Sequence, residues 1–457
     1  MTAHRKKTSA AGRGGEPLPA GGGDAGDLSL RIGKLVAGGS GLARDSEGRV
    51  VFVDGGLPGE EVEVRVTGGR RDYRTAVVTR VVLPSDDRVE PPCPYFGRCG
   101  GCQLQHLRYE AQLAAKEEIL REQLQRLGGF QEEDLAAVWQ EGAASPLAWG
   151  YRQRIRLHAG GGRLGFARSG SRRLVDIDRC QLADPGINEV LGLLRRQSFF
   201  PELLPRLDSL ELHSDPAGGR VLLLLQGKKL PDGLGRALAA QDGVGGVIVK
   251  GRGADRVFGS GPLPLAEIGY DLDIGLTAPF RFHLAAGGFC QVNQGINREM
   301  IATMRQWLGG IDYRSVADFF CGAGNFLLPA AIGTARAYGC DVAAAGVEAA
   351  RQNARRAGLA HCELEVVDAG LALAGAAASG RRFDLVLLDP PREGCPQVAA
   401  ELHRLRPAAV LYISCDAATL ARDLRVLAGT GFRLRRLRAF DMFPQTSHLE
   451  TMALLSR

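Results

Sequence analysis

The stretch SVADFFCGAGN, residues 315–325, decides how the chain folds. Its opening six residues are a short, mostly apolar run of the kind a buried parallel strand needs. The run then breaks into Cys321-Gly322-Ala323-Gly324-Asn325 and a helical segment. Such a turn points backbone N–H groups, and the positive end of the next helix, at whatever sits above the strand. From Phe289 onward apolar strands and helical stretches alternate, which is the pattern of a doubly wound parallel sheet. The expected fold class is α/β, with this Rossmann-like domain occupying 279–457.

Ligands of doubly wound sheets lie beyond the carboxyl ends of the strands. Each further strand here ends on a polar residue: ARAYGCD on Asp341, LEVVD on Asp368, FDLVLLD on Asp389-Pro390-Pro391-Arg392 and AVLYISC on Cys415. Gly322, Gly324, Asp341, Asp368 and Asp389 are therefore candidate cofactor residues on one edge. A dinucleotide fingerprint would carry a third glycine at 327, where this chain has Leu327. The set resembles the S-adenosylmethionine pocket of class I methyltransferases. A cysteine after an apolar strand is ordinarily inert core, but Cys415 precedes a helical stretch, TLARDLRVL, whose N-terminus can lower a thiol pKa.

A chain of 457 residues is longer than one core serves, so several domains are expected. Residues 1–26 are rich in Gly, Ala, Lys and Arg with little to bury, and read as a disordered basic tail. Residues 27–84 set LRIGKLV, RVVFVD, EVEVRVTG and YRTAVVTRVV between glycine turns, the pattern of a small OB-like β-barrel. Leu57-Pro58-Gly59, just before EVEVRV, reads as a hairpin turn in that barrel. Residues 85–130 combine a cysteine-bearing loop with a helix, Tyr109 to Leu127, that reads as a connector, and 140–278 read as a central α+β domain.

Net charge is +6, which raises the expectation of a polyanionic partner only slightly. No run of eighteen apolar residues and no secretory pattern is present, so a cytoplasmic protein without a membrane span is expected. Its ten cysteines should then stay reduced or hold a metal. Cys93, Cys99 and Cys102 lie close together and Cys180 far downstream. This spacing leaves an iron–sulfur cluster, zinc and unligated thiols all open. Cys290, Cys321, Cys340, Cys362 and Cys395 read as ordinary thiols.

The segments YISCDAATLARD, DMFPQTSHLE, DPPREG and FCQVN carry a more specific likeness. Together they resemble the (uracil-5-)-methyltransferases of ribosomal and transfer RNA, over nearly the whole chain. The resemblance implies a barrel of the TRAM type, a central RNA-binding domain and a C-terminal catalytic domain. It implies Cys415 as nucleophile and Glu450 as base. Gln291, Phe320, Asn325, Asp341, Asp368 and Asp389 would surround S-adenosylmethionine, with Asp389 also near the uracil. Carbon 5 of uracil is a poor nucleophile, so a thiolate must first add to carbon 6, and a base must later remove the carbon 5 proton. PYFGRCGGCQLQH resembles the iron–sulfur loop of the 23S ribosomal RNA branch. That implies a 4Fe-4S cluster on Cys93, Cys99, Cys102 and Cys180, with RNA, 23S rRNA in particular, as partner.

The chain departs from the family pattern at Asp416-Ala417, where Asn-Pro is usual, at Asp341 in place of Glu, and at Ser447 in place of Gly. Asp416 would add negative charge beside the thiolate. Arg152, Arg154 and Arg156 alternate as if on one strand face, and with Arg70, Arg71, Arg74 and Arg80 could contact RNA phosphates; such a stripe is as often a solvated sheet face. The target base must be flipped out, and a monomer is expected. The alternatives are another uridine site of the same family, a non-catalytic RNA-binding assembly factor, and an iron–sulfur oxidoreductase that binds a dinucleotide.

Overall fold

The computed structural model describes residues 27–215, 219–228, 230–251, 254–259, 267–285 and 287–457. The basic tail read at 1–26 lies outside the described residues. Two compact units divide the chain, Met1–Arg88 and Val89–Arg457.

In the first unit alternating valines face inward along Glu61–Gly69, so that strand can wrap one side of a small core. Among the described residues six strands form one sheet in the order Asp27–Arg31, Glu61–Gly69, Tyr73–Leu83, Val50–Asp54, Gly41–Arg44, Lys34–Leu35. Leu30 from one end of that order and Ala43 from near the other meet in a single cluster with Val51, Val53, Val62, Val64 and Ala76, so the sheet curls around its core. The turn at Leu57-Pro58-Gly59 does not make the expected hairpin. The strand before it, Val50–Asp54, pairs in parallel with Tyr73–Leu83, and the strand after it lies on the far side of Tyr73–Leu83. Glu60 anchors this crossover: fully buried, its carboxylate accepts from the Leu57 N–H at 2.8 Å and ion-pairs with Arg88. Arg70 and Arg71 are exposed beside the next turn, whereas Arg74 meets Asp45 and Arg80 meets Glu63.

The second unit holds two large sheets. Among the described residues the first has seven strands, from Leu174–Asp176 at one edge to Arg256–Phe258 at the other. Helix Pro185–Arg196 buries Ile187, Val190, Leu191 and Leu194 on one of its faces. Arg154 and Arg156 lie on its strand Arg154–Gly160, but Arg152 precedes that strand and bridges Ala183 and Asn293 instead, so the three arginines do not form one stripe.

The other large sheet has eight strands, in the order Cys362–Val366, Arg336–Asp341, Ser315–Asp318, Leu385–Leu388, Ala409–Ser414, Glu450–Ser456, Arg433–Phe440, Trp139–Ala143. Leu385–Leu388 and Ala409–Ser414 are buried throughout, which is why they read as unbroken apolar runs. Ser315–Asp318 pairs in parallel with Arg336–Asp341 on one side and Leu385–Leu388 on the other. Strand order reverses there, and a doubly wound sheet opens a ligand crevice at such a point. Glu450–Ser456 runs antiparallel between Ala409–Ser414 and Arg433–Phe440, which brings the start of the last strand beside the end of the Cys415 strand.

Two upstream segments belong to this packing. Helix Tyr109–Gln123, read as a connector, sends Leu120 into the same cluster as Val386, Val410 and Leu424. Trp139–Ala143 adds the eighth strand, parallel to Arg433–Phe440. No helix among the described residues is long and apolar enough to cross a membrane.

Candidate active site

A cavity of about 800 Å³ opens at the reversal point. Gln291, Phe320, Gly322, Asn325, Asp341, Asp368, Asp389, Cys415 and Glu450 all line it. Gly324 does not line it; it turns the loop with φ of 91°, a conformation that suits glycine.

The acids at the strand ends have distinct tasks. Asp341 accepts from the N–H of Gly322 at 3.0 Å and of Ala343 at 2.8 Å, tying the glycine turn to the start of the next helix. Asp368 caps helix Ala369–Ala378 by accepting from Gly370 and Leu371. Asn325 exchanges hydrogen bonds with Asn297 and accepts from the Tyr270 hydroxyl. Burial, with Asp341 nearby, lifts the Asp389 carboxyl to about 7. Asp318, behind the turn, is lifted to about 8 by burial, with Asp389 and Asp341 adding and the bond from the Phe320 N–H opposing.

Cys415 follows the Ala409–Ser414 strand, one residue before the helix cap Asp416. The expected lowering by the helix N-terminus does not prevail: burial first, then Glu450, pushes the thiol up to about 12, with Asp389 and Asp416 adding and Arg392 opposing. Asp416 accepts from the Thr419 N–H at 2.9 Å, so the carboxylate that departs from the family pattern serves as a helix cap. Glu450 is 6% exposed, and burial, then Asp389, holds its carboxyl well above the ordinary glutamate range against Arg392.

Arg392, Tyr270, Asn297 and Phe443 were not singled out in the sequence. Arg392 sits at the end of the Asp-Pro-Pro turn, lines the cavity and approaches His448 at 3.3 Å. It opposes the upward shift of both Cys415 and Glu450, and its place after Asp389-Pro390-Pro391 was the available signal.

Elsewhere, Cys93, Cys99, Cys102 and Cys180 line one small cavity of about 60 Å³ together with Arg152. The buried Nε of Arg152 has no hydrogen-bond partner among the described residues. Among those residues no group of three or more His, Cys, Asp or Glu side chains is arranged to hold a metal ion.

A doubly wound sheet with a glycine turn at its reversal point and acids on the adjoining strand ends defines a Rossmann-like methyltransferase domain. A TRAM domain model matches residues 29–79, and a tRNA (Uracil-5-)-methyltransferase model matches residues 271–457. The chain is 40% identical over 441 residues to the 23S rRNA (uracil(1939)-C(5))-methyltransferase RlmD of Pseudomonas aeruginosa, covering 93% of each chain. It is 36% identical to the protein of the same name from Pectobacterium atrosepticum, covering 94% of this chain and 93% of that one. The crystal structure of Pyrococcus abyssi tRNA (uracil-54, C5)-methyltransferase in complex with S-adenosyl-L-homocysteine matches with a TM-score of 0.70 at 25% identity, covering 94% of this chain and 99% of that one. The chain belongs to the RNA (uracil-5-)-methyltransferase family.

Proposed function

We propose that this chain methylates carbon 5 of a uridine in 23S ribosomal RNA, with Cys415 as nucleophile and Glu450 as base. The observation that carries this reading is the one cavity lined at once by Cys415, Glu450, Asp389 and the residues assigned to the cofactor. The names of the 23S rRNA relatives support the choice of RNA. The protein works as a monomer in the cytoplasm.

Gln291, Phe320, Gly322, Asn325, Asp341, Asp368 and Asp389 would hold S-adenosylmethionine; the acids suit its hydroxyl and amino groups and Phe320 its adenine. When bound, that molecule supplies an electrophilic methyl group and a positive charge. With its thiol proton released to solvent, Cys415 adds as the thiolate to carbon 6 of the flipped uracil, and the electron pair of the 5,6 double bond moves toward carbon 5 and oxygen 4. The carbon 5 electron pair forms the bond to the methyl group as the methyl–sulfur bond of the sulfonium breaks, leaving the bonding pair on that sulfur as a neutral thioether. Glu450, in its carboxylate form, then accepts the carbon 5 proton, the double bond re-forms, and the sulfur–carbon 6 bond breaks to return the thiolate. Asp389 lies beside both reacting groups and Arg392 offsets the charge of the acids.

Cys93, Cys99, Cys102 and Cys180 would hold a 4Fe-4S cluster. In support, the four thiols share one cavity with the buried, unpartnered Nε of Arg152, a cation suited to an anionic centre. The methyl-transfer steps move no single electrons, so such a cluster would tie the loop to the seven-stranded sheet.

Glu450→Gln separates the steps. Addition and methyl transfer should proceed while elimination stalls, so a denaturation-resistant protein–RNA band should build up and disappear when Cys415→Ala is added. Normal turnover by Glu450→Gln would remove Glu450 from the base role.

A further inference from the structure

We propose that residues 103–116, which follow directly on the cysteine loop, brace the catalytic loop, and that Lys116 and Gln112 are positioning residues for Glu450. This inference rests on the reading of Glu450 as base.

The loop from Asp441 to Leu449 joins Arg433–Phe440 to Glu450–Ser456, and Phe440 is the ladder partner of Glu450. Whatever fixes Asp441 therefore fixes where Glu450 enters the cavity. Lys116 does so: its Nζ donates to Asp441 Oδ1 at 2.7 Å and to the Phe443 carbonyl at 3.0 Å, with both side chains of the ion pair essentially out of solvent. A buried ion pair is weak evidence for stability, because apolar residues of similar volume often replace it without loss. Its best-attested use is to specify one arrangement over others.

The middle of the loop is held in an uncommon conformation. Gln445 has φ of 69°, in the left-handed region that a side chain with a Cβ seldom adopts. Its carbonyl accepts from the N–H groups of both Gln103 and Leu104, at 3.1 and 3.0 Å. Gln112 meets it twice: Gln112 Oε1 accepts from the Gln445 N–H at 2.8 Å, and Gln112 Nε2 donates to Gln445 Oε1 at 2.9 Å. Gln103 Oε1 accepts from the Ser447 N–H, and the Tyr151 hydroxyl donates to the Pro444 carbonyl at 3.0 Å. Gln112, Lys116, Asp441 and Gln445 are all buried, so water offers no ready substitute for these bonds.

Phe443 lines the catalytic cavity, and its ring packs edge-on against His448. The brace thus reaches from the residue after Cys102 to the wall of the reaction site, and the hydrogen bonds described above go to the loop and not to residues assigned to the cofactor. Its loss should slow the step that needs Glu450 in place and leave cofactor binding alone.

The double variant Lys116→Met with Asp441→Leu tests this, because it removes both buried charges together and so spares the fold from an unpaired ion. The expected result is a cooperatively folded protein with parental affinity for S-adenosylhomocysteine and parental KM for RNA. Its kcat should fall on the order of tenfold to a hundredfold, the scale of a misplaced catalytic group. The covalent protein–RNA band should persist, as is expected for Glu450→Gln. Gln112→Met carries the same test should the double variant fail to fold. If Glu450→Gln traps the adduct and a folded brace variant releases product at the parental rate, the brace is wrong and the base assignment stands. If Glu450→Gln itself releases normally, the base assignment falls and the brace with it.

Discussion

Burial lifts two thiols of this chain, Cys415 and Cys102, alike to about 12, yet what stands beside them is opposite in kind. Around Cys415 the neighbours that add to the shift are the acids Glu450, Asp389 and Asp416, and only Arg392 opposes. Around Cys102 the neighbours that add are the other thiols, Cys180, Cys99 and Cys93. At Cys180 the backbone N–H groups of Leu182 and Ala183 and the charge of Arg152 pull the other way. A thiol ringed by acids is suited to stay neutral until a positive charge and a substrate arrive. N–H donors and a guanidinium beside crowded thiols favour their thiolate forms, the charge state that the cluster proposed above would need.

The all-or-none way to break this contrast is to measure metal. Protein purified without oxygen should contain about four irons per chain and be brown. Cys99→Ser should lose the iron, whereas Cys415→Ala, at a thiol that is likewise half-buried, should keep all of it. Stoichiometric zinc, or iron lost from the Cys415 variant, would dissolve the distinction between the two sites.

A smaller effect separates binding from chemistry. Among the described residues the cavity proposed for the cofactor is lined from Tyr270 onward, while Arg70 and Arg71 lie exposed in the first unit. Removing residues 1–88 should weaken RNA binding by roughly tenfold to a hundredfold at moderate salt and flatten its salt dependence, through lost phosphate contacts. Calorimetric affinity for S-adenosylhomocysteine should not change. An equal loss of both would show that the first unit supports the catalytic one.

The sequence made one of these regions far easier to read than the other. Asp341, Asp389 and Cys415 each end or follow an apolar run that a parallel sheet buries, and Asp368 follows the edge strand Cys362–Val366, of which only Leu364 is buried, so a strand end predicts a cavity wall. Glu450 became legible only through the family resemblance, since its antiparallel strand is inserted beside the Cys415 strand by a reversal no local pattern records. The brace was invisible for a different reason. Helix Tyr109–Gln123 buries the polar Gln112 and Lys116 along with Leu120, and an amphipathic pattern that reads as a connector gives no sign that those two side chains face inward. Trp139–Ala143 carries Gln140, Glu141 and Gly142 and has no apolar run to mark it as a strand. Arg152 fits an alternating stripe in sequence, but the chain enters its strand two residues later and leaves that side chain at the cysteine cavity.

The smallest expected effect concerns stability, and it sharpens the account of why Cys415 stands among acids. Glu450 is buried against Asp389, with Arg392 as the opposing charge and the Cys415 thiol nearby, and its carboxyl is held well above the ordinary value of 4.5. Above 4.5 the unfolded chain releases this proton while the folded chain keeps it. The unfolded state then binds fewer protons, so stability falls as pH rises through that window, by up to about 1.4 kcal/mol per pH unit for one fully shifted group. Below 4.5 both states hold the proton and nothing is lost. Asp389, raised to about 7, adds a decline of the same sign over a lower range. Glu450→Gln removes the Glu450 part of this decline while keeping the shape of the side chain. The variant should therefore match the parent in urea unfolding at pH 4 and become the more stable of the two from pH 5 upward, with the gap widening until the folded parent also releases the Glu450 proton. A variant that is less stable at pH 8 than the parent would mean that Glu450 is held as a satisfied carboxylate, and a carboxylate so satisfied would make a poor acceptor for the carbon 5 proton.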